Sequence, residues 1–156
     1  MPDDLERMLR SLGNTSCDVE LRLFAADCAA RVLPFLTEPE FSAAICASRE
    51  YAIGNITPNE LDAIVSAAAS LLTEHVIQPS VRDFAGSAVV GASSSHPPTA
   101  DKVWNSVSCA LQAVACAAAE LADDDYYDSV YDSALAAEMV VQSELLRTRM
   151  DMPRLK

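Results

Sequence analysis

The sequence predicts an all-α, single-domain helical bundle of about six to seven helices, on three observations. Of the 156 residues, 26 are alanine and only four are glycine, and alanine is the strongest helix former whereas glycine is among the weakest. Apolar residues recur at i, i+3, i+4 and i+7 along most of the chain, and no β-branched run alternates with period two. The apolar fraction is 51%, enough for a chain of this length to close a core without disulfides or metal.

Taken in order, Leu5, Met8, Leu9 and Leu12 form the first stripe, so a helix is predicted over residues 3–12 with Gly13 at its stop. The second helix is predicted over 18–36, with Leu21, Phe24, Ala25, Cys28, Val32 and Phe35 inward and Pro34 marking its last turn or a kink. Asp18 with Arg22, and Asp27 with Arg31, are spaced i, i+4 on its outer side and are expected to pair there. Pro39 opens a third helix that turns Phe41, Ala44, Ile45, Ser48 and Ala52 inward and stops at Gly54 and Asn55. Thr57-Pro58-Asn59-Glu60 is a capping box, which starts a fourth helix predicted to reach residue 77.

Pro79 begins the fifth helix, weakened by Gly86 and Gly91 and closed by the Ser/Pro segment near 93–99, where a flexible loop is expected. Neither side of that loop looks able to stand alone, so residues 1–156 are predicted to form one domain. The sixth helix, 100–121, is apolar nearly all round, which suits the centre of a bundle or a homo-oligomer interface through residues 103–121. The seventh is predicted over 124–150, with Tyr127, Val130, Ala134, Ala137, Val141 and Leu145 as its inner stripe.

Eleven basic residues against 23 acidic ones give a formal charge of −12. A chain so acidic lacks the basic face that a nucleic-acid backbone demands. Its field repels anionic membranes and speeds the approach of basic proteins, although simple solubility is the plainer reading. The longest apolar stretch, from Val107 to Ala119, is shorter than the roughly 20 residues that a bilayer requires. The opening Met1-Pro2-Asp3-Asp4 has no apolar signal core, so a cytoplasmic protein is expected.

Motifs for catalysis are missing from the sequence: no GxxxxGK[ST], GxGxxG, HExxH or GxSxG element occurs. His75 falls on or beside an apolar stripe and His96 in the Ser/Pro loop, where a core or rim residue and an exposed loop residue are the plainer readings. Five cysteines, at 17, 28, 46, 109 and 116, form no CxxC pair and read as reduced thiols filling space between alanines. No catalytic residue, metal site or cofactor is therefore expected.

The densest polar feature lies between Glu120 and Glu144, where eight carboxylates occur without a single Lys or Arg. Helical spacing places Asp124, Asp125, Asp128 and Asp132 together, opposite Val130, Ala134 and Ala137, with Tyr127 and Tyr131 alongside. Acidic residues also favour a helix N-terminus and a solvated face for purely structural reasons. As a surface, carboxylates beside tyrosines fit a basic protein partner.

A further pattern joins the second and third helices. Arg22, Ala25, Asp27, Cys28, Ala29, Arg31, Leu33 and Pro34 follow an R-x-x-A-x-D-C-A-x-R-x-L-P pattern. Ile45, Arg49, Tyr51, Ala52, Gly54, Ile56 and Thr57 follow A-I-x-A-x-R-x-[WY]-A-x-G-x-I-T. Over residues 19–72 the chain thereby resembles bacterial immunity proteins of polymorphic toxin systems. The resemblance implies a non-enzymatic protein that shields its producer by binding a toxin, with Arg22, Asp27, Cys28, Arg31, Arg49, Tyr51 and Gly54 read as structural. Two other classes stand beside it: a homo-oligomeric helical scaffold, and an enzyme or small-ligand pocket between helices, which the missing motifs disfavour.

Overall fold

Alanine-rich segments punctuated by proline and by Ser/Thr caps fold as helices wherever a stripe of larger apolar residues can be covered. The computed structural model describes residues 2–12, 18–72 and 78–151. Among them are seven α-helices and no strand: α1 (Pro2–Leu12), α2 (Asp18–Ala30), α3 (Pro39–Ala52), α4 (Pro58–Ala69), α5 (Val81–Ala92), α6 (Ala100–Ala119) and α7 (Tyr127–Asp151). Short 3-10 turns, Leu33–Phe35 and Asp124–Tyr126, precede α3 and α7.

Two helices share the centre. α6 packs on α5, α7, α2 and α1, and α2 packs on α3, α5, α6 and α7. The core they build includes Phe24, Cys28 and Val32 of α2, Phe41 and Ile45 of α3, Val107 and Leu111 of α6, and Leu146 of α7. Small residues let α5 and α6 approach closely: a Cβ added at Gly91 would lie 3.3 Å from the Ser106 Cβ, and the Ser106 hydroxyl donates to the Ala88 carbonyl at 2.7 Å. The apolar girth of α6 is thus spent largely inside the chain, with Val103, Val107, Ala110, Leu111, Ala113 and Ala115 buried.

The helix starts follow local chemistry. Thr57 accepts from the Glu60 amide while Glu60 accepts from the Thr57 amide, completing the capping box of α4. Ser80 and Asp83 make the same reciprocal pair, so α5 begins at Val81, two residues after Pro79. At the end of α3, Asn55 N–H donates to the Glu50 carbonyl at 2.9 Å and Gly54 N–H to Tyr51 at 3.0 Å. Gly54 itself sits at φ +82°, the left-handed position of a Schellman stop.

Four expectations are corrected. α2 ends at Ala30 rather than 36, because a helix carried through Pro34 would lose an amide bond and drive the ring into the Ala30 carbonyl. The Arg31 and Val32 amides instead bond to Cys28 and Ala29, three residues back, each at 3.2 Å. α4 ends at Ala69 rather than near 77: Leu71 and Leu72 turn onto the core, and Arg82 donates to the Leu71 carbonyl at 3.4 Å. α6 stops at Ala119 and leaves Leu121 exposed. The inner face of α7 is rotated: Glu138, Met139, Gln142 and Leu146 are buried, while Tyr127, Ala137 and Val141 face outward.

Candidate binding surface

Two polar assemblies dominate the molecule, one inside and one outside. The inner one gathers the paired motif residues of α2 and α3. Arg22, only 8% exposed, donates to the carbonyls of Ser94 and His96, the latter at 3.0 Å. Its guanidinium lies 4.7 Å from the centre of the Tyr51 ring, and the Tyr51 hydroxyl donates to the Ser95 carbonyl at 3.3 Å. Three successive carbonyls of the Ser/Pro segment are therefore held by α2 and α3. Burial pushes the Arg22 guanidinium below its usual range, and the Tyr51 phenol and Asp18 partly offset this.

One turn further along α2, Asp27 accepts from Arg49 of α3 at 3.0 Å and from Arg149 of α7 at 2.8 Å. Arg31 is bidentate to Glu138 of α7 at 2.5 and 2.8 Å, and Gln142 donates to the same carboxylate at 3.2 Å. This overturns the expected pairs within α2. Asp27 and Arg31 each reach another helix, and Arg22 is occupied by the loop carbonyls. Such cross-helix pairs tie α2 to α3 and α7, which is why α7 turns Glu138, Gln142 and Arg149 inward. The sequence signal for them was slight: Glu138 counted as one more carboxylate of an acidic stretch, and nothing in its spacing marked it as buried.

The outer assembly is what remains of that stretch. Glu138 is withdrawn into the core and Glu144 pairs with Arg147, leaving Glu120, Asp123, Asp124, Asp125, Asp128 and Asp132 on the surface. Asp124 and Asp125 lie on the 3-10 turn rather than on α7, so the predicted single helical row is bent at its start. Tyr127 and Tyr131 stack with ring centres 6.4 Å apart and planes 16° from parallel. Desolvation first, and the neighbouring Cys116 thiol second, push both phenols above their ordinary value.

Cations are scarce around this surface because they are used elsewhere. Among the described residues, Arg10 pairs with Glu6 and Asp101, Arg49 and Arg149 with Asp27, Arg31 with Glu138, Arg82 with Glu38, and Arg147 with Glu144. None of the six surface carboxylates from 120 to 132 makes such a pair among the described residues.

Three thiols, Cys28, Cys109 and Cys116, are placed for packing. Cys28 is fully buried, and burial followed by the nearby Glu138 charge raises its pKa well above the ordinary range. Burial also raises Cys109, and Cys116 is raised by burial against a hydrogen bond with Tyr127; Cys46 is exposed. Raised thiols are poor nucleophiles. No group of three or more His, Cys, Asp or Glu among the described residues is arranged to hold a metal. His96 is exposed, with Nδ1 3.4 Å from the Ser94 hydroxyl; His75, Cys17 and Gly13 lie outside the described residues. The cleft beside Arg22, His96 and Lys102 has a volume of about 20 Å³, room for one water molecule. No helix among the described residues is long and apolar enough to cross a membrane.

Comparison with protein-family models, with curated proteins and with solved structures finds no match to this chain.

Proposed function

We propose that this chain is a non-enzymatic, cytoplasmic protein-binding module with an immunity-like role, which neutralises a basic protein such as a toxin by covering part of its surface. The observation that carries the reading is the concentration of exposed carboxylates, without cation partners among the described residues, around Asp124, Asp125, Asp128 and Asp132, beside the stacked Tyr127 and Tyr131. Free carboxylates supply long-range attraction and set the approach of a basic partner. Tyr127, exposed, and Tyr131, half-buried, supply contact area at low entropic cost. The motif that resembles the immunity-protein pattern fits the scaffold of this reading, since its charged members bind α2 to α3, α7 and the Ser/Pro segment.

Affinity capture from the host's lysate at low and at high salt, with the mass of the bait measured alone, tests the proposal. The expected result is one stoichiometric basic partner that salt releases. A bait recovered alone as a salt-resistant oligomer contradicts it and favours a homo-oligomeric scaffold.

A further inference from the structure

α7 carries a second apolar face that none of the described residues covers. Asp128, Asp132, Ala136 and Val140 follow one another at intervals of four residues, and every one is exposed. Ser133, Ala137 and Val141 form the adjacent row, also exposed, and Val140 keeps 64% of its surface in solvent. Rows spaced by four are the ridges of helix packing, and the groove between two such rows accepts the ridge of another helix. Serine, alanine and valine make this groove shallow and smooth, so a partner backbone can come close. A helix apolar on two opposite faces has two neighbours to satisfy; among the described residues the bundle supplies the inner one, at Met139, Gln142 and Leu146.

Charge selects the occupant. The acidic end and the apolar middle belong to the same groove, so an occupant gains most if it is apolar opposite Ala137 and Val140 and basic about one and a half to three turns away, opposite Asp132 and Asp128. A second copy gains less: in parallel Asp128 faces Asp128, and antiparallel about the Ala136–Val140 midpoint Asp132 faces Glu144, with Arg147, which already pairs with Glu144, as the lone cation near Asp128 among the described residues. An anionic membrane is repelled by the same carboxylates.

Resting on the protein-binding reading above, we propose that the outer groove of α7 receives an amphipathic basic helix of the partner. Recognition is then of the helix-in-groove kind, with apolar anchors at i, i+3 or i+4 and i+7. The groove fixes which part of the partner is gripped; the acidic turn steers it there.

The probe is a synthetic helical peptide with leucines along one face and lysines towards one end, and the readout is fluorescence anisotropy with the full chain. Val140→Glu is expected to weaken binding about tenfold or more, the scale of losing a central anchor, although the substitution adds a negative charge. Val140→Gln is expected to weaken it in the same direction, and neither is expected to change helicity, since Val140 touches solvent. A purely electrostatic complex predicts the opposite sign for Val140→Glu. Equal or tighter binding by Val140→Glu, or failure of the unmodified protein to bind the peptide, overturns the groove. The wider protein-binding reading fails separately, if capture yields no basic partner.

Discussion

At the residue scale, the chain spends its arginines on structure, and Arg22 is the clearest case. Its two donors, on Ser94 and His96, leave those carbonyls without partners if the side chain is shortened. Arg22→Met is expected to lower stability by about 2–3 kcal/mol, the cost of orphaning partly buried acceptors, read from the urea midpoint; an unchanged midpoint contradicts the clamp. Glu38 offers a pH test. The Arg82 guanidinium foremost, then a backbone amide, holds its carboxyl down to about 2 from an ordinary 4.5. A depressed folded-state value means stability that is present above the unfolded value and lost as pH falls from about 5 towards 2. Glu38→Gln is expected to flatten that part of a melting-temperature profile and to leave the slope above pH ~6 unchanged. The sequence exposed these residues only in part. Arg22, Asp27 and Arg31 stood out as a pattern, but i, i+4 spacing pointed to partners within α2. Besides Arg49, 22 residues from Asp27, their real partners, at Ser94, Arg149 and Glu138, are 72 to 122 residues away, and no local rule reaches that far.

At the element scale, starts were legible and ends less so. Thr57 with Glu60 specifies its helix start through reciprocal bonds four residues wide, and Gly54 specifies the preceding stop through its backbone. Gly54→Ala is expected to cost about 1–2 kcal/mol from the left-handed conformation alone, because no atom lies within 4 Å of an added Cβ. Thermal melts of the pair check this, and an unaltered melting temperature contradicts the stop. The ends of α2 and α4 depended on what the chain turns towards. Leu72 folds over Gly86, whose added Cβ would meet Leu72 Cδ2 at 2.5 Å, and Arg82 closes α4 from another helix. The rotation of α7 has the same origin. Alanine and valine line its outer face as leucine and methionine line the inner one, so periodicity alone could not rank them. Cross-helix ion pairs at Glu138 and Arg149 decide which face turns in. The acidic surface was therefore legible in outline, at Asp124, Asp125, Asp128 and Asp132, whereas the uncovered Ala136–Val140 face beside it was not.

At the scale of the whole molecule, the fold class followed from composition and period, since alanine-rich stripes with few glycines leave helix packing as the way to bury apolar surface. The formal charge of −12 becomes a directional property only through the fold. Intramolecular pairs absorb six of the arginines, and the turn before α7 gathers carboxylates that have no such partner among the described residues. A surface of this kind accelerates association with a basic protein, and added salt slows it. The central claim is that this acidic turn steers a basic partner onto α7. Its most direct test is the association rate of the captured partner with the unmodified chain and with the combined Asp124→Asn, Asp128→Asn and Asp132→Asn variant, across a range of salt. The account predicts that the variant associates more slowly at low salt, that the two converge at high salt, and that helicity is equal in both. Identical rates at every salt concentration would contradict it and place the binding surface elsewhere on the molecule.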